Sequence, residues 1–328
     1  MMLSRRKVFG ILIRALGITP IAVAQAELRI DRLRFENALP LRTCGSRAYR
    51  ADVVVSVLGV PIFSRANVGS AFMALRECSS ADVRTTSLQF TGGSRPERAH
   101  GVRYSGSLEE ATVEQGSALA EAANFGFITA SPEEGYAEAR QRVMAKGTSV
   151  AAFIAVESIH RPGCVSNSKA CVTLPADAPA PEWRNLIGQV RSLFSTARLT
   201  SSELKVAGGT ARTFLYSILA AIRSPESIYA CDYVHNGNLF RLDCEKTADR
   251  HAADGLASRT MMSSAQRVIR VAGRTRNRAN GRTSTFKFWL EEGSDYPLRI
   301  EFQPRSYLRI VLEFDPTIDV PTKPKEAI

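Results

Sequence analysis

The chain has 328 residues, a hydrophobic fraction of 45% and a formal net charge of +11. This length is sufficient for one large β domain or for two small domains. The four histidines are scattered and the six cysteines include no CxxC spacing, which argues against a metal site and predicts no cofactor.

Residues 1–26 have the pattern of an export signal that is cleaved from the mature protein. Three cations at residues 5–7 precede an apolar stretch, and residues 24–26 have the small-x-small pattern of a cleavage site. Arg14 and Pro20 interrupt the apolar stretch, so a permanent membrane span is the weaker interpretation. The arginine pair resembles a twin-arginine signal, and export by this route or by the Sec route predicts a periplasmic or secreted bacterial protein.

Removal of this signal leaves residues 27–316 as one main β-rich domain and residues 317–328 as a flexible tail. Residues 80–205 are interpreted either as part of that domain or as an inserted or N-terminal subdomain. The signal carries four cations and no acids, so the net charge falls from +11 to +7. Nucleic acid is rarely available outside the cytoplasm, and we expect a lipid or another anionic envelope component as the partner instead. Simple solubility explains the charge at least equally well.

The first half of the mature chain contains short runs of β-branched and apolar residues, which are typical of strands. We predict strands or extended segments at Ala48–Leu58, Val68–Cys78, Thr85–Phe90, Val102–Val113, Phe125–Ile128 and Ser149–Val156. Residues 91–98 contain two glycines and two arginines that could cradle an anion, but a plain loop is the favoured interpretation. A helix is predicted at residues 131–147 and a loop at residues 161–181.

The second half adds two amphipathic helices, predicted at Glu182–Phe194 and Thr210–Arg223, where apolar residues recur at helical spacing. A loop or short helix is predicted at Thr247–Arg259, before a strand at Ser263–Arg274. Residues 284–314 alternate apolar and polar side chains through three consecutive runs, which predicts an antiparallel meander with one dry face. The predicted fold class is therefore mainly β with α (α+β), a curved antiparallel sheet or half-barrel with helices packed against it.

Six cysteines in an exported chain predict three disulfides, of which the pair Cys231 and Cys244 is the most informative. These two cysteines flank a hairpin pattern. A two-residue loop at Gly237-Asn238 would place them directly opposite each other, whereas a loop at Asn236-Gly237 would offset them diagonally. We therefore interpret the cysteines as selecting the first register.

The other four cysteines are assigned by their positions in the chain. Cys164 and Cys171 enclose a short loop and are predicted to pair with each other. Cys44 and Cys78 then remain as the third pair. Buried free thiols are the alternative interpretation, which is less common in an exported chain.

The dry face of the meander is the first candidate ligand site. A sheet with a continuous apolar face and too few helices to cover it leaves an apolar groove. The residues predicted to line this groove are Phe286, Phe288, Leu298, Ile300, Leu308, Ile310 and Leu312. The competing interpretation is that all of them are ordinary core residues.

A row of arginines is the second candidate, and it would meet the headgroup of a ligand in the groove. Arg274, Arg276 and Arg278 are spaced by two, so they share one face of an extended chain. Guanidinium groups bind phosphate in a bidentate manner, which suits an anionic lipid. The favoured alternative is a solvated strand edge that opposes edge-to-edge association.

The C-terminal third carries motifs of a known family of exported bacterial proteins. They are Ser217 with Arg223, Tyr229 before a hairpin with Asn236-Gly237 and Arg241-Leu242, and Tyr296-Pro297-Leu298-Arg299-Ile300-Glu301 with Arg305. These motifs resemble the DUF3108 family, which looks related to the LolA-like periplasmic lipoprotein carriers. The resemblance implies a strongly curved antiparallel sheet that wraps helices, and in the carriers the cavity takes acyl chains. It implies no catalytic residues.

The functional prediction is a non-enzymatic protein, because the chain contains neither a GxSxG nucleophile elbow nor an HExxH motif. The leading hypothesis is that it binds an acylated or otherwise amphiphilic envelope molecule in the apolar groove. The alternative is a structural or protein-interaction module of the cell envelope that has no small ligand. Helices that fill the groove would favour this alternative.

Overall fold

The structure, a computed structural model, describes residues 42–57, 60–80, 82–95, 97–99, 105–116, 118–129, 149–161, 163–175, 193, 196–198, 200–206, 212–259, 261–263, 266–305 and 308–318. Within these residues, 14 strands form one antiparallel sheet. The strands are β1 (Arg42–Val57), β2 (Val60–Ser80), β3 (Val83–Ser94), β4 (Ser105–Gln115), β5 (Ala118–Thr129), β6 (Ser149–Arg161), β7 (Cys164–Pro175), β8 (Thr200–Lys205), β9 (Ile228–His235), β10 (Asn238–Ala248), β11 (Val268–Asn277), β12 (Thr283–Glu291), β13 (Pro297–Arg305) and β14 (Leu308–Phe314).

The sheet consists of two meanders that share one ladder. Its strand order is β8-β7-β6-β5-β4-β3-β2-β1-β14-β13-β12-β11-β10-β9. Strands β1 to β8 pair consecutively, as do β9 to β14, and the β1–β14 ladder joins the two sets from Tyr49–Phe314 to Val55–Leu308. Among the described residues the edge strands β8 and β9 form no ladder with each other, so the sheet is not closed.

The predicted fold class is confirmed, because the described chain is mostly antiparallel sheet with helices packed on it. The meander predicted at residues 284–314 corresponds to β12, β13 and β14. The helix predicted at Thr210–Arg223 is α1 (Phe214–Arg223). A second helix, α2 (Arg250–Ser258), occupies the segment predicted as a loop or short helix.

The loop predicted at residues 161–181 is wrong, because strand β7 runs through most of it. Residues 166–168 are all short and polar, so this stretch lacks an apolar alternation, yet it pairs with β6 on one side and β8 on the other. Residues 91–94 likewise belong to β3 and not to a loop. Backbone pairing, which any residue except proline can make, has overridden the local composition in both segments.

Several other predicted segments fall outside the described residues. They are the signal at residues 1–26, the helix at 131–147, all but one residue of the helix at 182–194, and most of the tail at 317–328. The predicted subdomain at residues 80–205 contributes strands β3 to β8 to the common sheet.

The sheet curls around α1, and we call the face that packs on this helix the inner face. Ile218 of α1 lies in one core cluster with residues of β9 to β12, and Leu215 and Leu219 lie in another with residues of β1, β2, β3 and β13. A flat sheet from β9 to β3 would be about 40 Å wide, whereas a ten-residue helix is about 15 Å long and 10 Å across. One short helix can reach all of these strands because the sheet wraps it.

The curl also brings one edge of the sheet onto the opposite end. Val234 of β9 packs with Ala122 of β5, Ile159 of β6 and Val165 of β7, although β9 and β7 stand far apart in the strand order. The backbone of Val234 also forms an isolated parallel bridge with Thr213, just before α1. Helix α1 therefore enters the interior where the two ends of the sheet meet.

Glu110 of β4 accepts hydrogen bonds from the N-terminus of α1. Its Oε2 atom accepts from the backbone N–H of Leu215 at 3.1 Å, and its Oε1 atom accepts from that of Tyr216 at 2.6 Å. The hydroxyl of Thr213 donates to the same carboxylate. The first N–H groups of a helix have no partner within the helix and carry partial positive charge, so a buried carboxylate stabilises them strongly. Because Glu110 is only 2% exposed, water has little access to these N–H groups as an alternative acceptor.

The C-terminus of α1 is held by Arg223. Its Nη2 atom donates to Glu77 of β2 at 2.6 Å and to Asp295 at 2.7 Å, and its Nε atom donates to Asp295 at 3.0 Å. Asp295 lies in the turn between β12 and β13. A cation in the last turn also interacts favourably with the helix dipole. Both ends of α1 are thus fixed to strands of the first meander, and its C-terminus is also fixed to the β12–β13 turn of the second.

The Glu110→Ala substitution should destabilise the fold by about 1–3 kcal/mol, because it leaves the N–H groups of Leu215 and Tyr216 buried without their acceptor. Urea unfolding followed by circular dichroism measures this loss. The matched control is Glu292→Ala, since the side chain of Glu292 is 57% exposed and makes a single ion pair of 4.0 Å. The control should stay within about 0.5 kcal/mol of the original protein. Equal unfolding midpoints for both variants would contradict the role assigned to Glu110.

Candidate functional site

Three of the predicted groove residues lie under α1. Phe286 is 6% exposed and packs with Ile218, and its ring covers Gly273, where a Cβ atom would lie 1.9 Å from the ring. Ile300 is 9% exposed in the cluster that contains helix residues of α1, and Phe288 packs against both clusters. Helix α1 therefore fills the part of the predicted groove that these three residues line.

Leu298 does not share a face with Ile300, contrary to the alternation in the sequence. The register shifts from Trp289–Arg299 to Leu290–Pro297, which leaves Leu298 as the extra residue of a β-bulge. Leu298 is fully buried in a cluster with Trp289 and with Leu256 of α2. A bulge shifts the side-chain alternation by one residue, so Leu298 points to the outer face, beneath α2.

Beyond α1, the inner face carries six apolar side chains that we call the open strip. They are Val53, Val55, Phe63, Phe302, Leu308 and Ile310. Directly paired residues share a face, and Ile310 pairs with both Val53 and Phe302. Phe63 is 48% exposed and Phe302 is 41% exposed, whereas the other four are half-buried. Leu312, the next inner residue of β14, packs against the α1 cluster and marks the boundary of the strip.

The arginine row lies on the outer face. Arg274 and Arg276 belong to β11, and Arg278 follows in a turn. Arg274 lies 4.0 Å from Asp243, and Arg278 donates to Asp232 at 2.9 Å. The sheet separates this row from the open strip, so the row does not meet the headgroup of a ligand bound there.

A cleft on the outer face of β1, β13 and β14 has Glu313 at its centre, and we call it the Glu313 cleft. Glu313 faces Arg50 across one ladder and Arg299 across the other. Its Oε1 atom accepts from Arg299 at 2.9 Å and from Arg259 at 2.7 Å, and its Oε2 atom accepts from Arg50 at 3.0 Å. The side chain of Glu313 is 6% exposed, so one nearly buried negative charge faces three positive charges.

The Glu313 cleft has a volume of about 630 Å³. The cleft is lined by three segments: the chain after α2, the end of β14 with the turn that follows it, and the bulged part of the β1–β2 ladder. Glu301 lies next to it and accepts from Arg299 at 2.5 Å, and it lies 3.6 Å from Arg309. Arg299 also stacks over the ring of Trp289 at 5.3 Å, which fixes its guanidinium plane.

Local sequence patterns do not reveal this cleft. Its arginines are scattered among ordinary alternating strand residues, and they come together because β14 lies between β1 and β13. The available signal was the charge of five of the six outer residues near one end of these strands. They are Arg50 and Asp52 in β1, Arg299 and Glu301 in β13, and Glu313 in β14, and Val311 is the sixth.

The β9–β10 hairpin has its two-residue loop at Asn236-Gly237, and not at Gly237-Asn238 as the cysteines predicted. His235 pairs with Asn238, and the turn residues Asn236 and Gly237 both have positive φ, at 51° and 69°. An Asn-Gly pair favours this type I′ geometry, which therefore decides the register. Cys231 consequently faces Leu242, and the predicted direct pairing of Cys231 with Cys244 is wrong.

The two cysteines remain diagonal neighbours in the core. Cys231 is 9% exposed and Cys244 is 4% exposed, and both are free thiols in one cluster. Burial, together with the smaller effect of the adjacent Cys231, raises the pKa of Cys244 to about 12. A thiol with so high a pKa is almost entirely protonated near neutral pH and reacts slowly.

The other two predicted disulfides are also absent from the described residues. Cys164 and Cys171 lie on one extended strand, seven residues or about 23 Å apart, whereas a disulfide needs Cα atoms within about 7 Å. Cys78 is a free thiol that pairs through its backbone with Thr85. Cys44 belongs to a bulge whose flanking pairs are with residues 75 and 76 of β2.

In the described part of the chain, no group of three or more His, Cys, Asp or Glu side chains could hold a metal ion. None of the helices in that part is both long and apolar enough to cross a membrane.

Alkylation should distinguish the free thiols from disulfides. In guanidinium without reductant, Cys78, Cys231 and Cys244 should all react with iodoacetamide, as peptide mass spectrometry would show. In the native protein at pH 8, Cys244 should react at least about tenfold more slowly than the half-buried Cys78, because little thiolate forms. Labelling in guanidinium that requires prior reduction would contradict this expectation.

The raised pKa also predicts a loss of stability at high pH. In the unfolded chain the thiol of Cys244 has its ordinary pKa of 9.0, so the unfolded state releases this proton first as the pH rises. The contribution of Cys244 to stability is therefore complete below pH 9 and falls as the pH approaches 12. Cys244→Ala should show a smaller loss of unfolding midpoint between pH 8 and pH 10.5 than the original protein, and an equal loss would contradict the assignment.

Comparisons with known proteins give a structural similarity and no family. Among solved structures, the chain is similar to a β-barrel-like protein of the domain of unknown function DUF1849 from Brucella abortus, at 10% identity and a TM-score of 0.42. This match covers 84% of this chain and 97% of that chain. No family model and no curated protein matches the chain. The resemblance to the DUF3108 family therefore stays a prediction.

Proposed function

We propose that this protein is an exported, non-enzymatic binding protein of the bacterial cell envelope. The open strip takes the acyl part of an amphiphilic molecule, whose polar part stays in solvent. One observation carries this proposal: the inner face continues past α1 as a contiguous apolar surface with two exposed phenylalanines. Isolated exposed apolar residues are common, whereas a contiguous apolar surface indicates a contact with another molecule.

The strip is large enough to supply useful binding energy. Complete burial of a valine, leucine, isoleucine or phenylalanine side chain contributes about 1.5–3 kcal/mol. A ligand would complete the burial of these side chains and gain the remaining part of that free energy. The gain is larger for Phe63 and Phe302, which are 48% and 41% exposed, than for the four half-buried side chains. After the cost of association, a micromolar dissociation constant is a reasonable expectation.

The chemistry of the strip fits binding and not catalysis. All six side chains are hydrocarbons, which offer neither a nucleophile nor a group that transfers protons. The export signal pattern and the resemblance to LolA-like carriers support a periplasmic location and an acylated ligand. Both come from the sequence.

A second candidate function is an interaction module without a small ligand. Helix α1 covers Phe286, Phe288 and Ile300. Leu312 packs against the same cluster and Leu298 is buried beneath α2, so five of the seven predicted groove residues belong to the core. In this case the open strip would receive the apolar face of another envelope protein.

Titration of the mature protein with cis-parinaric acid, a fluorescent fatty acid, tests the first candidate. The Ile310→Glu variant places a charge at the centre of the strip, next to Val53 and Phe302, and should weaken binding at least about tenfold. Ile228→Glu is the matched control, since Ile228 is 73% exposed on β9 and lies away from the strip. The control should bind as the original protein does.

Native mass spectrometry of the mature protein, isolated from the periplasm without detergent, identifies the natural ligand. An added mass that organic extraction releases as lipid supports the carrier proposal. A bare protein that also fails to bind cis-parinaric acid would overturn it and leave the interaction module.

A further inference from the structure

The Glu313 cleft combines arginines and acidic residues in nearly equal number. Asp52, Glu313 and Asp315 line it and Glu301 lies next to it, and the arginines around these acids are Arg50, Arg259, Arg299 and Arg309. The fifth arginine of the lining, Arg65, pairs with Val53 and makes a contact of its own. The attraction of the cleft for an anion therefore comes from guanidinium donors that the acids leave unused.

Two of these arginines retain hydrogen-bonding capacity toward the cleft. Arg309 Nη1 lies 3.6 Å from Glu301, which is too long for a hydrogen bond, and its side chain is 41% exposed. Arg50 donates one hydrogen bond to Glu313, and its side chain is 36% exposed. A guanidinium group has five N–H donors, so the described acids use a minority of those that Arg50 and Arg309 offer.

We propose that the Glu313 cleft binds a phosphate group carried by an organic molecule. Arg50, Arg259 and Arg309 approach from β1, from the end of α2 and from β14, and a tetrahedral oxyanion offers acceptor oxygens in several directions at once. The volume of about 630 Å³ is far larger than a lone phosphate and is typical of sites for small organic ligands. The remaining space, beside Met261, Phe314 and Pro316, accommodates the organic part.

Glu313 holds the site ready for this ligand. Three guanidinium groups would repel one another if no anion lay between them. Glu313 positions Arg50, Arg259 and Arg299 in the absence of ligand, at hydrogen-bond distances of 2.7–3.0 Å. The ligand then binds to donors that are already oriented, which lowers the entropic cost of binding.

This site does not depend on the open strip. The charged residues Arg50, Arg299 and Glu313 of the cleft lie on the outer face of β1, β13 and β14, whereas the strip lies on the inner face, and Val53 is the strip residue that also borders the cleft. A soluble phosphate ester therefore tests the cleft, whereas cis-parinaric acid tests the strip, and the failure of either proposal leaves the other intact.

Calorimetric titration of the mature protein with glycerol 3-phosphate, at low ionic strength, tests the proposal. Arg309→Gln and Arg50→Gln should each weaken binding at least about tenfold. Arg267→Gln removes the same charge from a side chain that is 80% exposed and lies outside the cleft, and it should change binding less than about twofold. Equal weakening by Arg267→Gln, or no binding at millimolar concentration in any arm, would overturn the proposal.

A gain of affinity provides a second, opposite test. Glu313→Gln keeps an acceptor oxygen that can hold Arg50 and Arg259 in place but removes the negative charge that competes with the ligand, so the folded variant should bind the ester several-fold more tightly. Circular dichroism establishes whether this variant folds, and the Arg309→Gln comparison remains decisive if it does not. Weaker binding by a folded Glu313→Gln variant would contradict the charge argument.

Two further arms identify the source of the phosphate. Vesicles of phosphatidylglycerol, with phosphatidylcholine vesicles as a control, present the group on a lipid headgroup, and inorganic phosphate presents it alone. Binding to the soluble ester but not to the vesicles indicates a soluble phosphorylated ligand. Binding to phosphatidylglycerol that Arg309→Gln abolishes indicates a lipid headgroup.

Discussion

The carboxylate of Glu110 at the N-terminus of α1 is the interaction on which the rest of the interior depends. A ten-residue helix is marginal by itself in water, and burial of its polar N-terminus is costly without an acceptor. Glu110 provides that acceptor from β4, and Arg223 fixes the other end to Glu77 and Asp295. Helix α1 can then lie inside the curl of the sheet and join the cores of both meanders.

The inner and outer faces of the sheet differ in their chemistry. On the inner face, α1 covers one part of an apolar surface and leaves the open strip uncovered by described helices. On the outer face of the same strands, alternating charges meet at Glu313. A strand exposes successive side chains to opposite faces, so β1, β13 and β14 carry an apolar surface on one face and an arginine cleft on the other.

Local patterns predicted much of this fold, and long-range register determined the rest. The meander at residues 284–314 and helix α1 follow from short-range periodicity. The bulge at Leu298 and the polar strand β7 do not, because neither leaves a local apolar signature. The convergence of Arg50, Arg299 and Glu313 follows from the pairing of β1 with β14, which single-sequence periodicity does not encode.

The β1–β14 ladder also has a consequence for the order of folding. Every other ladder in the described sheet joins consecutive strands, whereas this one joins opposite ends of the described chain, as the pairing of Tyr49 with Phe314 illustrates. Contacts between residues so far apart in the sequence form slowly, because a long loop must close first. Until the last strand is available, β1 and β13 both expose unpaired edges that can join another chain. A chain kept unfolded until synthesis is complete would avoid that interval.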